Sequence, residues 1–223
     1  MFKNFDNVKY NKGVTLIELL VVIFIFVVIS GITIFDYGKF KSSLSIQNLA
    51  DDIALSVRKA QGYAIGVHRS SSVFDTGYGI HFSVNQENLG SGRYSGTDKS
   101  FVIFSDINND KIYDYGENCG TPATGDECLE LLNISSIDKI IGIRYYDGHV
   151  LSDTLTKTKN TLDIVFKRPN PEPTFCYKND GSDSACDTIP GLSYVQVIIS
   201  SNTIPAVTKT ITISNSGQIS VAN

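Results

Sequence analysis

Apolar positions along this chain change their period twice, and each stretch predicts a different element. From Leu19 the sequence reads LLVVIFIFVVISGITIF, apolar except at Ser30, Gly31 and Thr33. Counted from Val14, the run holds 22 residues to Phe35, and about 20 suffice for a helix to cross the hydrocarbon core of a bilayer. Beyond it the apolar residues thin to one stripe. Ile46, Leu49, Ala50, Ile53, Val57, Ala60 and Ala64 recur at three- and four-residue steps, the spacing of one helix face. Asp51, Asp52, Ser56, Arg58, Lys59 and Gln61 fill the other faces. No proline interrupts residues 14–66, although Gly31 and Gly38 permit gentle bending. The two stretches therefore predict one helix of about 50 residues, roughly 75 Å long at ~1.5 Å per residue. The stripe is too short and its heptad too irregular for a coiled coil.

After Gly66 the period falls toward 2. Strands are expected over 78–84, 101–105, 140–146, 161–167, 194–200 and 208–214, with a short return at 218–221. Thr210-Ile211-Thr212-Ile213 alternates cleanly, and Asn215-Ser216-Gly217 reads as a hairpin turn. Residues 87–99 and 168–173 read as loops, the latter because of Pro169, Pro171 and Pro173. No internal repeat occurs. A long helix followed by antiparallel strands is an α+β arrangement. Its expected segments are 1–13 ahead of the apolar run, a transmembrane half at 14–36, an amphipathic continuation at 37–66 and a β-rich globular domain at 67–223.

Charge orients this plan. Lys3, Lys9 and Lys12 stand against Asp6 ahead of the apolar run, which predicts a cytoplasmic N-terminus and export of everything after Phe35. Lys39 and Lys41 on the far side lessen the contrast. The net charge is −4, and removing the first thirteen residues takes away +2 and leaves −6. Such an acidic chain, with no strong run of Lys or Arg, does not generally attract nucleic acid or anionic lipid. An ordinary secretory signal fits poorly, because its apolar stretch is about 7–15 residues and precedes its cleavage site.

Glu18 breaks the apolar pattern. A carboxylate at the head of a membrane helix is costly and calls for a named partner. The sequence around it, Lys12-Gly13-Val14-Thr15-Leu16-Ile17-Glu18-Leu19-Leu20, resembles the type IV prepilin (class III) signal. That resemblance implies a peptidase cut after Gly13, methylation of the new amino terminus at Val14, and Glu18 as the fifth residue of the mature chain. It further implies that Glu18 of one subunit faces the α-amino group at Val14 of a neighbour, assisting filament assembly. Val14 stands where the family most often has phenylalanine. The implied partners are other pilin or pseudopilin subunits, the prepilin peptidase, an inner-membrane assembly platform, and membrane lipid before assembly. The implied location is the bacterial cytoplasmic membrane, crossed once, with the globular domain in the periplasm or an extracellular filament. The implied architecture is the pilin fold, its helix packed across an antiparallel sheet. Ala60-Gln61-Gly62-Tyr63-Ala64, Tyr78-Gly79-Ile80-His81-Phe82 and Phe101-Val102-Ile103-Phe104-Ser105-Asp106 are similar to minor pseudopilins of the type II secretion H class and related minor pilins. A major pilin and a DNA-binding minor pilin are the alternatives, the latter resting on Arg144, Lys157, Lys159, Lys167 and Arg168.

Four cysteines, Cys119, Cys128, Cys176 and Cys186, allow three pairings. The close pairs enclose turn residues, Gly120, Pro122 and Gly125 in one and Asp180 and Gly181 in the other, so Cys119–Cys128 and Cys176–Cys186 are expected. An exported domain suits disulfides, and the absence of Cys-x-x-Cys argues against zinc.

Between the second and third expected strands, Asp106, Asn108, Asp110, Asp114 and Glu117 occupy the first, third, fifth, ninth and twelfth places of a twelve-residue loop. That is the spacing with which an EF-hand loop binds Ca2+, and Ile112 offers a backbone carbonyl at the seventh place. Lys111 replaces the usual sixth-place glycine, and the preceding segment reads as strand. The competing reading is an acidic turn held by Asx-type hydrogen bonds. His68, His81 and His149 lie far apart and fall in no nucleophile, metal or phosphate motif, so no enzymatic activity is expected.

Overall fold

The computed structural model describes residues 13–66, 76–84, 97–114, 119–120, 126–146, 151–153, 159–179, 186, 191–203 and 206–222. Helix α1 (Leu16–Ile65) is one run of 50 residues. Thr15 starts it. Its hydroxyl accepts the Glu18 N–H at 3.3 Å and its carbonyl accepts the Leu19 N–H at 3.1 Å, so Thr15-x-x-Glu18 has the spacing of a capping box. At the other end the Gly66 N–H bonds the Gly62 carbonyl at 2.8 Å.

Two compact units divide the chain, Met1–Lys41 and Ser42–Asn223. In the first, the large apolar side chains between Val14 and Ile29 are all at least 45% exposed. By length and composition this part of α1 suffices to cross a membrane. A helix apolar on every face needs an apolar environment around it.

In the second unit α1 is amphipathic. The stripe from Ile46 to Ala64 is buried at every expected position. It joins a single core with residues of two five-stranded antiparallel sheets. The first sheet runs in the order β3 (Cys128–Asn133), β2 (Ser100–Asp106), β1 (Gly77–Ser83), β6 (Lys159–Lys167), β7 (Asn170–Asn179). The second runs β10 (Ile219–Ala222), β9 (Thr208–Ser214), β8 (Tyr194–Ser200), β4 (Lys139–Tyr146), β5 (Leu151–Asp153). Tyr78, Ile80 and Phe82 of β1 and Val195, Val197 and Ile199 of β8 reach the core by strand alternation. The turn after β9 places Gly217 at φ 80, a left-handed conformation open to glycine at no steric cost.

Three strands lie outside the expected set: β3, β5 and β7. The expected loop at 168–173 is corrected, since β7 begins at Asn170 and includes Pro171 and Pro173. Among the described residues it pairs only with β6 and forms one edge of its sheet. An edge strand tolerates prolines because one side of its ladder is unused. The Leu- and Glu-bearing β3 occupies the opposite edge and lacks the β-branched pattern that marks β8 and β9. Lys59 of α1 forms an ion pair with Glu130 of β3. Both side chains are partly exposed, so the pair contributes at most about 1 kcal/mol.

The first sheet is covered on both faces. Every residue of β1 and β2 is buried. Opposite the α1 face, Val102, Phe104 and Val165 form a second apolar cluster with Tyr113 and Cys128. Gly79 sits where that cover is tightest. A Cβ there would lie 2.6 Å from the Phe104 ring and 2.8 Å from the Ile164 carbonyl oxygen. Gly79→Ala is therefore expected to destabilise the protein by about 1–3 kcal/mol through overpacking. Gly62→Ala, with nothing within 4 Å of the added carbon, should instead stabilise by up to about 1 kcal/mol through helix propensity. Denaturant unfolding of the full detergent-solubilised chain checks both signs.

Candidate functional site

Gly13, Val14 and Glu18 lie together at the start of α1. Among the described residues, nothing demands a glycine at position 13. A Cβ would meet no atom within 4 Å, and Gly13 is not among the glycines with positive φ. Val14 is 72% exposed. Glu18 is in the first helical turn, where the positive end of the helix dipole favours a carboxylate. Thr15, missed as a cap in the sequence, follows Gly13, so cleavage there would leave this cap in place. The visible signal was the Thr-x-x-Glu spacing.

The acidic loop begins where β2 ends. Asp106 is 1% exposed, and its Oδ2 accepts the Lys111 N–H at 3.3 Å. Asn108 Oδ1 accepts the Asp110 N–H at 3.1 Å, and Asp110 Oδ1 accepts the Ile112 N–H at 2.8 Å. The Asn108 amide donates to Asp110 Oδ2 and to Asp114 Oδ2, each at 2.9 Å. Asn109 and Lys111 take φ values of 61° and 69°. Lys111 thus adopts the left-handed backbone for which glycine is usually chosen at the sixth place. Asp106, Asn108, Asp110, Ile112 and Asp114 are gathered in one compact loop. Glu117 lies outside the described residues. Among the described residues, no three Asp, Glu, His or Cys side chains form a group arranged to hold a metal.

Glu127 organises this loop and was not identified from the sequence. It is 1% exposed. Its Oε1 accepts the Ile107 N–H at 2.7 Å, and its Oε2 accepts the Asp114 N–H at 3.1 Å. One carboxylate thereby holds both ends of the loop. The backbone reinforces it: Ser105 donates to the Glu127 carbonyl at 3.0 Å, and Glu127 donates to the Asp114 carbonyl at 3.3 Å. A disulfide follows directly, Cys119–Cys128, with Cα atoms 4.7 Å apart. A second joins Cys176 to Cys186. Tyr113 turns inward from the loop, its ring 5.3 Å from Phe104 and 5.1 Å from His81.

His81 Nδ1 lies 2.6 Å from Asp163 Oδ1, its register partner on β6, with both side chains buried. His68 and His149 lie outside the described residues. Of the basic residues considered for DNA, Arg144 belongs to the second sheet, whereas Lys159 and Lys167 belong to the first and Arg168 to the turn that follows it. Lys157 lies outside the described residues. Lys167 Nζ donates to Asn109 Oδ1 at 2.8 Å, at the acidic loop.

Residues 8–34 match the family model for the prokaryotic N-terminal methylation motif. The match covers Gly13, Val14, Glu18 and most of the apolar run, and it supports a prepilin-type, type IV pilin-like chain anchored by that run. No curated protein and no solved structure matches the chain.

Burial raises the Glu127 carboxyl to about 8, against its bonds from the Asp114 and Ile107 N–H groups, and the Asp106 and Asp114 charges add to the rise. Burial likewise raises Asp106 to about 6. Both groups hold a proton more tightly folded than unfolded, so stability falls as pH rises through these folded values. In chelator-treated buffer the free energy of unfolding should decline from about pH 5 to about pH 8, by at most ~1.4 kcal/mol per pH unit for each group. Glu127→Gln should flatten the upper part of that decline. Urea titrations across the range measure it.

Proposed function

We propose that this chain is a structural subunit, a minor pilin or pseudopilin, of a type IV pilus or type II secretion-like filament. The observation that carries the reading is the methylation-motif match over residues 8–34, at a site where no contact among the described residues requires Gly13. A glycine that its own structure does not require suits recognition by another protein, here the prepilin peptidase. Cleavage there frees the Val14 amine, and methylation keeps it charged while adding bulk.

Assembly then follows from two mismatches with water. The exposed apolar half of α1 is held first by lipid and then by the same segment of other subunits. The mature N-terminus carries an ammonium charge in addition to the positive end of the helix dipole. In a medium of low dielectric this positive charge seeks a carboxylate, and Glu18 of a neighbouring subunit supplies one. The pair lowers the cost of both ions only when the subunits are in register, so it favours docking and sets the axial step. On this reading the globular domain confers the subunit's particular role, and the chain is a substrate of catalysis without performing any. The likeness of residues 60–64, 78–82 and 101–106 to minor pseudopilins of the H class supports the minor assignment. Quantitative mass spectrometry of purified filaments should find this chain as a small fraction of the subunits, whereas a major pilin would dominate.

Intact-mass measurement of the protein from its native membrane should show loss of the first thirteen residues and an added methyl group on Val14. A mature N-terminus beyond Phe35 would refute the assignment. Glu18→Ala should insert into the membrane normally yet enter filaments at a level reduced about tenfold or more, the equivalent of ~1.4 kcal/mol or more of lost docking energy. Immunoblots of sheared filaments against membrane fractions give the ratio. Incorporation at the unmodified level would remove the charge pair from the mechanism.

A further inference from the structure

The amphipathic half of α1, the strands β2 and β3 and the connection from β3 to β4 border a groove of about 460 Å³. That volume lies in the range of small-ligand sites, about 300–1,000 Å³. Helix α1 contributes Ser45, Asp52, Leu55 and Ser56 to its lining, and β3 and the connection contribute Leu132 and Ser136.

The lining is rich in acceptors. A serine hydroxyl has one proton to donate. Ser45 gives its proton to Asp138 Oδ2 at 2.6 Å, and Ser136 gives its own to the same oxygen at 2.7 Å. Ser56 donates to the Asp52 carbonyl at 2.8 Å. Three of the four lining serines have thus spent their protons inside the chain, and toward a ligand they can only accept. Asn48 and Asn133 can turn either way. Asp52 adds an exposed carboxylate, and among the described residues no ion pair holds it. Lys59, the cation among the lining residues, is already paired with Glu130.

Asp138 supplies a separate observation. It is fully buried, and its Oδ1 accepts no hydrogen bond. Lys99, which does not line the groove, bonds the carbonyls of Ser136 and Asp138 and offsets part of this charge. With both hydroxyl protons directed at the carboxylate, the dipoles of Ser45 and Ser136 carry the remaining negative potential outward. Apolar surface adjoins these acceptors. Leu55 is 65% exposed on a helix face that is otherwise polar, and Leu132 is partly buried.

A ligand for this groove needs donors at its tip and an apolar stem. Arginine has both, with five N–H donors, no acceptor, and methylenes that pack on apolar surface. Its guanidinium is more weakly hydrated than an ammonium, so it enters at lower cost than lysine. We infer that the groove docks an arginine side chain presented by a partner protein. The guanidinium lies at Asp52, Ser45 and Ser136, and the stem packs on Leu55 and Leu132. The inference goes beyond the filament reading and does not depend on it.

The test uses the full chain in detergent and follows backbone amide resonances while the capped peptide acetyl-Gly-Arg-Gly-amide is added. Saturable shifts at Ser45, Ser56 and Ser136 are expected. The same peptide with citrulline is uncharged and carries a carbonyl oxygen in place of a donor nitrogen. It should bind at least tenfold more weakly. Asp52→Asn alters an exposed side chain, so the unbound spectrum should stay alike elsewhere while the arginine peptide binds several-fold more weakly. Absence of saturable shifts at the groove, equal binding of the citrulline peptide, or unchanged affinity in Asp52→Asn would overturn the site. Tighter binding of the lysine peptide would overturn the assignment to arginine.

Discussion

An apolar helix surface that the chain does not cover is the constraint from which the rest of this protein follows. Between Val14 and Ile29, α1 presents Leu, Ile, Val and Phe on every face, each largely exposed. At about 25 cal/mol per Å² of apolar area, such a surface cannot remain in water. It resides in lipid or against like surfaces. The motif match over residues 8–34 lies on this segment, so a stretch recognisable by family is also the one whose physics demands an outside partner. Glu18 lies in the first turn of the same apolar segment.

The same helix meets the opposite requirement after Ser42. There one stripe is buried and the other faces are polar, because each sheet has a face to cover and the helix supplies it. The first sheet has a second face as well. Among the described residues, no helix covers that one. The loop after β2, stapled by Cys119–Cys128, folds back over it and brings Tyr113 against Phe104 and His81. Covering a sheet with a loop requires that the loop's backbone polar groups be satisfied. Glu127, Asp106, Asp110 and Asn108 do this by accepting its N–H groups. Glu127 and Asp106 are thereby buried, and burial pushes their carboxyls upward. The unsatisfied Oδ1 of Asp106 is a consequence of that arrangement.

Fastening elsewhere is modest by comparison. Ser45 and Ser136 both donate to Asp138, which is fully buried, and Lys99 donates to the carbonyls of Ser136 and Asp138. These bonds tie α1 and the turn before β2 to the crossing that enters β4. The two sheets are thus coupled through this crossing and through the core, and among the described residues they share no strand.

The sequence alone determined every feature set by neighbours along the chain. The stripe from Ile46 to Ala64 is buried as its period predicts, because helix spacing decides which side chains share a face. Strands β8 and β9 run over the expected residues, since alternating β-branched residues favour an extended backbone locally. The disulfides join near cysteines across short, turn-rich loops. Tertiary structure alone decided the division into two sheets, the strand built on Pro171 and Pro173, and the role of Glu127. Each depends on a partner remote in sequence: prolines are tolerated only where one ladder side is empty, and Glu127 acquires its bonds only when β3 returns beside β2. Local pattern carries no information about which edge stays unpaired or which carboxylate a returning strand will bury, because those outcomes are fixed by register between distant segments.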